Sequence, residues 1–176
     1  MKKVKIWSII GIFLISFLCH FMYDWFPNTF FSIFFPVNES IWEHMKIIFS
    51  AILIYSPIEY FLLKKKDIDF NNFLLSNVIM GISGIVIYLI IFIPIYLMIG
   101  ENMIVSISLL FITYIIVEII GYYILNLKPI KYQGYIATFL IIITYIIFSY
   151  FTYQPIKNFL FYDTKEEKYG IDIYET

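Results

Sequence analysis

Apolar residues fall along the chain in five long runs, at about residues 6–23, 41–63, 73–99, 103–127 and 135–151. A bilayer core about 30 Å thick needs roughly 20 apolar residues of helix at about 1.5 Å each, so each run is long enough to cross one. Charge or turn chemistry separates them: Lys2, Lys3 and Lys5 at the start, then Lys64, Lys65, Lys66 and Asp67, then Glu101 and Asn102, then Lys128, Pro129 and Lys131. Between the first and second runs lies WFPNTFFSIFF, residues 25–35, too short to span and broken by Pro27. Its aromatic rings suit the membrane interface. The pattern predicts an all-α, polytopic transmembrane helix bundle of about five spans. The bundle occupies residues 1–152, followed by a polar tail at 153–176.

Composition agrees with this pattern. Of 176 residues, 61% are hydrophobic and only 14% charged, and the mean hydropathy is +0.85. Soluble domains carry about 25% charged residues, so a water-facing coat is missing and a soluble globular enzyme is excluded. Disordered, collagen-like and disulfide-rich chains are excluded as well, because aliphatic and aromatic residues dominate and Cys19 is the lone cysteine. Residues 6–19 have the basic start and apolar run of a secretory signal, but no small-residue cleavage site, so a retained helix is expected.

Lysines set the expected orientation, since cytoplasmic loops carry the excess of basic residues. With the N-terminus inside, Lys2, Lys3, Lys5, Lys64, Lys65, Lys66, Lys128 and Lys131 are internal, and Lys46, Lys157, Lys165 and Lys168 external. Five spans then put the C-terminus outside. Adding Asp67 and Asp69 leaves the inner segments at +6, while Asp24, Glu39, Glu43, Glu101, Asp163, Glu166, Glu167, Asp172 and Glu175 bring the outer ones to −5. An outer acidic face favours a cation, a metal or a cationic head group over an anion. The chain lacks arginine and a large basic patch, so nucleic acid is not an expected partner. The expected surroundings are a cell membrane, with homo-oligomerisation or a membrane partner protein left open.

The polar residues gather at the outer ends of the spans. At about 1.5 Å per residue, Asp24 stands roughly 28 Å from Lys5, and His44 roughly 30 Å from Lys64, with His20 about 6 Å deeper than Asp24. Both histidines of the chain therefore fall at the outer face. Helical spacing of four pairs His20 with Asp24, Glu39 with Glu43 and Ser40 with His44. A histidine beside a carboxylate is an acid–base or metal-ligand unit, because the carboxylate fixes the ring tautomer. His20, Asp24, Glu39, Glu43 and His44 are thus the catalytic candidates, and His20 and His44 with one carboxylate, Asp24 first, the candidate ligands of a divalent metal such as zinc. Asn38, Asp163 and Tyr169 are further candidates at the same face. An oxygen-only calcium site from Asp24, Glu39, Glu43 and Asp163 lacks the spacing of a calcium loop. Part of this set has a purely structural alternative: Ser40 to Glu43 fits a capping box, with Asn38 as a competing cap.

Two acids lie inside predicted spans. Glu118 is about 15 Å from Lys128, near the midplane, and Glu59 about 7 Å from Lys64. A midplane acid costs several kcal/mol unless it is paired, protonated or faces water. Glu118 is therefore either a functional group, as in a small proton-coupled transporter, or a structural tie to Tyr114, Tyr122 or Ser83. Among activities, a metal-assisted hydrolase or transferase acting on a lipid or envelope substrate ranks first. A non-catalytic scaffold or subunit ranks second and a transporter third.

HFMYDW, PVNESIWEHMK and the tail FTYQPIKNFLFYDTKEEKYGI together resemble a group of small bacterial integral-membrane proteins known only as a domain of unknown function. The resemblance covers essentially the whole chain. It departs at Ile156 and Thr164, where the family pattern has prolines. It implies no activity, and it points to these outer segments as the distinguishing feature.

Overall fold

The structure is a computed structural model and describes residues 1–171; Asp172 and Glu175 of the expected outer charge lie outside the described residues. The described chain forms α1 (Lys2–Trp25), α2 (Thr29–Phe34), α3 (Ile41–Lys65), α4 (Phe73–Ile99), α5 (Met103–Leu125), α6 (Gln133–Tyr153), β1 (Tyr162–Asp163) and β2 (Lys168–Tyr169). All but α2 among the helices are long and apolar enough to cross a membrane. The fold is an all-α bundle, as the apolar runs predict.

Helix α3 is the hub. Of its most apolar 18-residue window 61% is buried, against 11% for α6, so α3 is wrapped by protein while α6 faces outward. Close approach to α3 depends on missing side chains. A Cβ on Gly81 would come within 2.5 Å of the Phe49 ring, and one on Gly84 within 2.9 Å of Ile48, so α4 packs backbone to side chain against α3. Pro57 in α3 has no N–H for the Leu53 carbonyl, and the Ser56 hydroxyl donates to that carbonyl instead at 2.8 Å.

The helix ends sort into two groups. At one end, Asn72 links the α3–α4 loop to the α5–α6 loop: its Oδ1 accepts from the Ile130 N–H at 2.7 Å, and its Nδ2 donates to the Lys128 carbonyl at 3.1 Å. At the opposite end lie the C-terminus of α1, the short α2, the start of α3 and the α4–α5 turn. Asn28 caps α2 by accepting from the Phe31 N–H at 3.1 Å.

The tail closes this second end. Trp42 N–H donates to the Leu160 carbonyl at 2.8 Å and Ile171 N–H to the Thr152 carbonyl at 3.0 Å. The Trp42 ring lies against Phe148, Phe151 and Phe161. Strands β1 and β2 pair antiparallel, Tyr162 opposite Tyr169 and Asp163 opposite Lys168. Gly170 follows with φ +59°, a left-handed conformation that a side chain disfavours, and its missing Cβ leaves room for the Thr152 carbonyl.

Two lysines counted by sequence as loop charges are buried in the bundle. Lys5 Nζ stands 2.6 Å from Glu59 Oε1 and 2.9 Å from Glu118 Oε2. Glu118 therefore finds its partner in Lys5 rather than in the expected hydroxyls; Ser83 donates to the Ile79 carbonyl of its own helix at 2.6 Å. Lys46 is fully buried and donates to Glu43 Oε2 at 2.6 Å, to Thr152 Oγ1 at 2.6 Å and to the Ser32 carbonyl at 2.7 Å, tying α2, α3 and α6 together.

Candidate metal site at the tail-covered end

Local sequence decides which carboxylate reaches the histidines. Ser40 is the N-cap of α3, accepting from the Glu43 N–H at 3.3 Å, so the helix begins at Ile41 and Glu39 stands outside it. Glu39 and Glu43 therefore do not share a helix face. Glu43 turns inward to Lys46, the Thr152 hydroxyl at 2.7 Å and the Val37 N–H at 3.1 Å. The capping box is thus half made: Asn38 Oδ1 takes the Ser40 N–H at 2.9 Å that Glu43 would have taken.

Glu39 turns instead toward the two rings. Its Oε1 is 3.8 Å from His20 Nε2 and its Oε2 is 3.5 Å from His44 Nε2, while the two ring centroids are 5.2 Å apart. One ligand atom from each of His20, Glu39 and His44 lies within 4.8 Å of the others. Ligand atoms about 2.1 Å from a tetrahedral metal stand roughly 3.4 Å apart, so small side-chain adjustments suffice to close on an ion. His44 is oriented for this: its Nδ1–H donates to the Ser40 carbonyl at 2.9 Å, which turns Nε2 toward Glu39. His20 Nδ1 is buried with no hydrogen-bond partner among the described residues.

Asp163 holds the arrangement from the tail. It is fully buried. Its Oδ2 accepts from the Glu39 N–H at 2.9 Å, and its Oδ1 accepts from Lys165 and Glu166 N–H groups at 2.8 and 3.2 Å. Burial pushes its carboxyl up, but these three N–H groups, with the Lys168 ammonium, outweigh burial and hold it below the ordinary value. The same turn brings Lys165 Nζ to 3.3 Å from Glu39 Oε2. Asn38 joins the frame by donating to the Gly170 carbonyl at 2.9 Å. The Tyr169 ring lies tilted against that of Tyr162, ring centroids 5.0 Å apart, on the hairpin itself.

Asp24 does not join the converging ligand atoms. It lines a cavity of about 200 Å³ beside them, shared with His20, Asn38, Glu39, Asp163 and Lys165. A larger cavity of about 470 Å³ descends from the rings into the bundle. Its polar end holds His20, Glu39, His44, Glu101 and Lys165, and the remainder is mainly apolar. Sequence reasoning missed Lys165 and Glu101 as neighbours of the rings. Glu101 was visible as the charge that separates two spans; the folded tail meets it through Thr164, whose hydroxyl donates to Glu101 Oε2 at 2.9 Å, and the same turn carries Lys165 to Glu39.

Fold and site together define a multi-pass helical membrane protein with a polar, histidine-containing site at one end of the bundle. The chain belongs to the family of unknown function DUF6512, which it matches over residues 1–171. No curated protein and no solved structure matches it.

Proposed function

We propose that this protein is a metal-assisted hydrolase or transferase of the cell membrane that works on a lipid or envelope substrate at the extracytoplasmic face. The observation that carries the reading is the convergence of His20, Glu39 and His44 from α1, the α2–α3 loop and α3. Two imidazoles and one carboxylate suit zinc and leave a fourth position for water. Such an ion would lower the pKa of its water toward neutrality and polarise an ester or phosphoester oxygen. The chain's own groups supply the rest. Asp163 fixes the Glu39 backbone, the Ser40 carbonyl orients the His44 ring, and Lys165, 3.3 Å from Glu39, would supply positive charge to a developing oxyanion.

Lysine placement favours an outer location for the site. Lys64, Lys65, Lys66, Lys128 and Lys131 stand at the opposite end of the bundle. Removing the buried Lys5 and Lys46 from the count leaves that excess intact. The transporter reading weakens because Glu118 is tied to Lys5. A non-catalytic subunit remains the alternative. The deciding experiment is product release from purified protein in vesicles of bacterial lipid, with and without a chelator. Chelator-sensitive release that is lost in His44→Ala supports the enzyme; the absence of any release across lipid classes favours the scaffold.

A further inference from the structure

The larger cavity lies along the seam between α1 and α5. Below it, Phe13 of α1 and Phe111 of α5 close the seam between their helices, with ring centroids 5.0 Å apart in an edge-to-face contact. Above that contact the two helices present Phe17 and Phe21 on one side and Met103 and Ile107 on the other, all lining the cavity. Phe17, Phe21 and Met103 are also exposed. The α1–α5 seam above Phe13 and Phe111 is therefore bordered by exposed apolar side chains that also line the cavity. The back wall is different: Tyr88 and Phe92 of α4, stacked 5.1 Å apart, are only 7% and 6% exposed. From Met103 to Leu110 the cavity follows α5 for about 10 Å.

We propose that this cavity is the substrate's chain-binding site and that a lipid of the surrounding bilayer enters it sideways between α1 and α5. The proposal rests on the catalytic reading of the same site and names its substrate class: a long-chain amphiphile with an ester or phosphoester linkage. The chain lies against Tyr88 and Phe92, and the linkage stands level with His20, Glu39 and His44. Three features select this occupant. The volume of about 470 Å³ is that of a small-molecule site. Exposed apolar side chains border the cavity along the α1–α5 seam, and on helices that span a bilayer such side chains meet lipid. Polarity is confined to one end of the cavity, which matches an amphiphile with its head toward the tail segment and its chain toward Leu110.

Photolabelling tests this directly. Purified protein is reconstituted into phosphatidylglycerol vesicles containing a phospholipid with a diazirine in its acyl chain, irradiated, and the labelled residues mapped by mass spectrometry. Label is expected on Tyr88 and Phe92, which a merely surrounding lipid does not reach, as well as on the exposed Phe139 and Ile142 of α6. Ser106→Phe, which fills the cavity from α5, is expected to reduce the Tyr88 and Phe92 label several-fold and leave the α6 label unchanged. Label confined to outward-facing residues in the unaltered protein, or Tyr88 label indifferent to Ser106→Phe and to a second filling variant, Ile107→Trp, overturns the proposal. Metal content is measured on the same samples. Bound metal without Tyr88 label refutes the chain site alone, and Tyr88 label without metal refutes the metal reading alone.

Discussion

Lys5, on the first turns of α1, places its ammonium 2.9 Å from the Glu118 carboxylate on α5, with both side chains buried. Glu59 of α3 completes the group at 2.6 Å, so one lysine joins three helices. Removing the lysine strands two buried carboxylates. Lys5→Met is expected to destabilise the protein by about 3–5 kcal/mol, whereas Glu118→Gln keeps the Lys5–Glu59 pair and costs less. Thermal unfolding in detergent gives the order. Equal losses for the two variants would mean that Lys5 does not hold the helices in this way.

The network around Lys46 makes a second stability prediction. Thr152 Oγ1 donates to Glu43 Oε1 at 2.7 Å and sits 2.6 Å from Lys46 Nζ, at the point where α6 meets α3. Thr152→Val keeps the shape and removes both bonds, at an expected cost of about 1–3 kcal/mol. Because Glu43 and Lys46 lie outside the group of converging ligand atoms, metal affinity is expected to stay unchanged. A fall in affinity with unaltered stability would move Glu43 from the frame into the site.

Asp163 makes tail docking sensitive to acid. Its carboxyl is held below the ordinary value in the folded state, so the folded form binds its proton less readily than the unfolded one. The stability it contributes is complete above the unfolded value of about 3.9, declines as pH falls below that, and is lost through the lower folded-state value. Protease cutting within residues 154–171 is therefore expected to accelerate in that acidic window. Asp163→Asn is expected to cut faster at neutral pH and to show a flatter pH profile. A variant whose profile parallels the wild type would remove Asp163 from this role.

Orientation is tested by reporters fused to the C-terminus, one active only outside the cytoplasm and one only inside. The external reporter is expected to be active. Activity of the internal one would move the histidine site to the cytoplasmic face, since the tail and the histidines lie at the same end of the bundle.

The spans were legible because charge punctuates them: Lys64 to Asp67, Glu101 and Lys128 each fall at or beside a helix end. The meeting of His20 and His44 was legible too, from rise per residue alone. The choice of carboxylate was not. The start of the second run at residue 41 and the Ser40 cap were readable, but the spacing of four was still applied to Glu39, which stands outside the helix and turns to the rings, while Asp24 lines a neighbouring cavity. Lys5 was misread because a lysine near a span end resembles a topology signal. The warning lay in its helical register: Lys5, Ser8, Ile12, Ser16 and Cys19 recur at intervals of three or four and form the buried face of α1. Lys165 was beyond sequence reasoning, since its position depends on the tail folding back onto the N-cap of α3.

The central claim is that His20, Glu39 and His44 hold one divalent metal ion. Metal analysis of the purified protein after equilibration with limiting zinc measures it directly. One ion per chain is expected, lost in His20→Ala, His44→Ala and Glu39→Gln and retained in Asp24→Asn. Protein that remains metal-free, or that loses its ion in Asp24→Asn while keeping it in Glu39→Gln, would contradict the account.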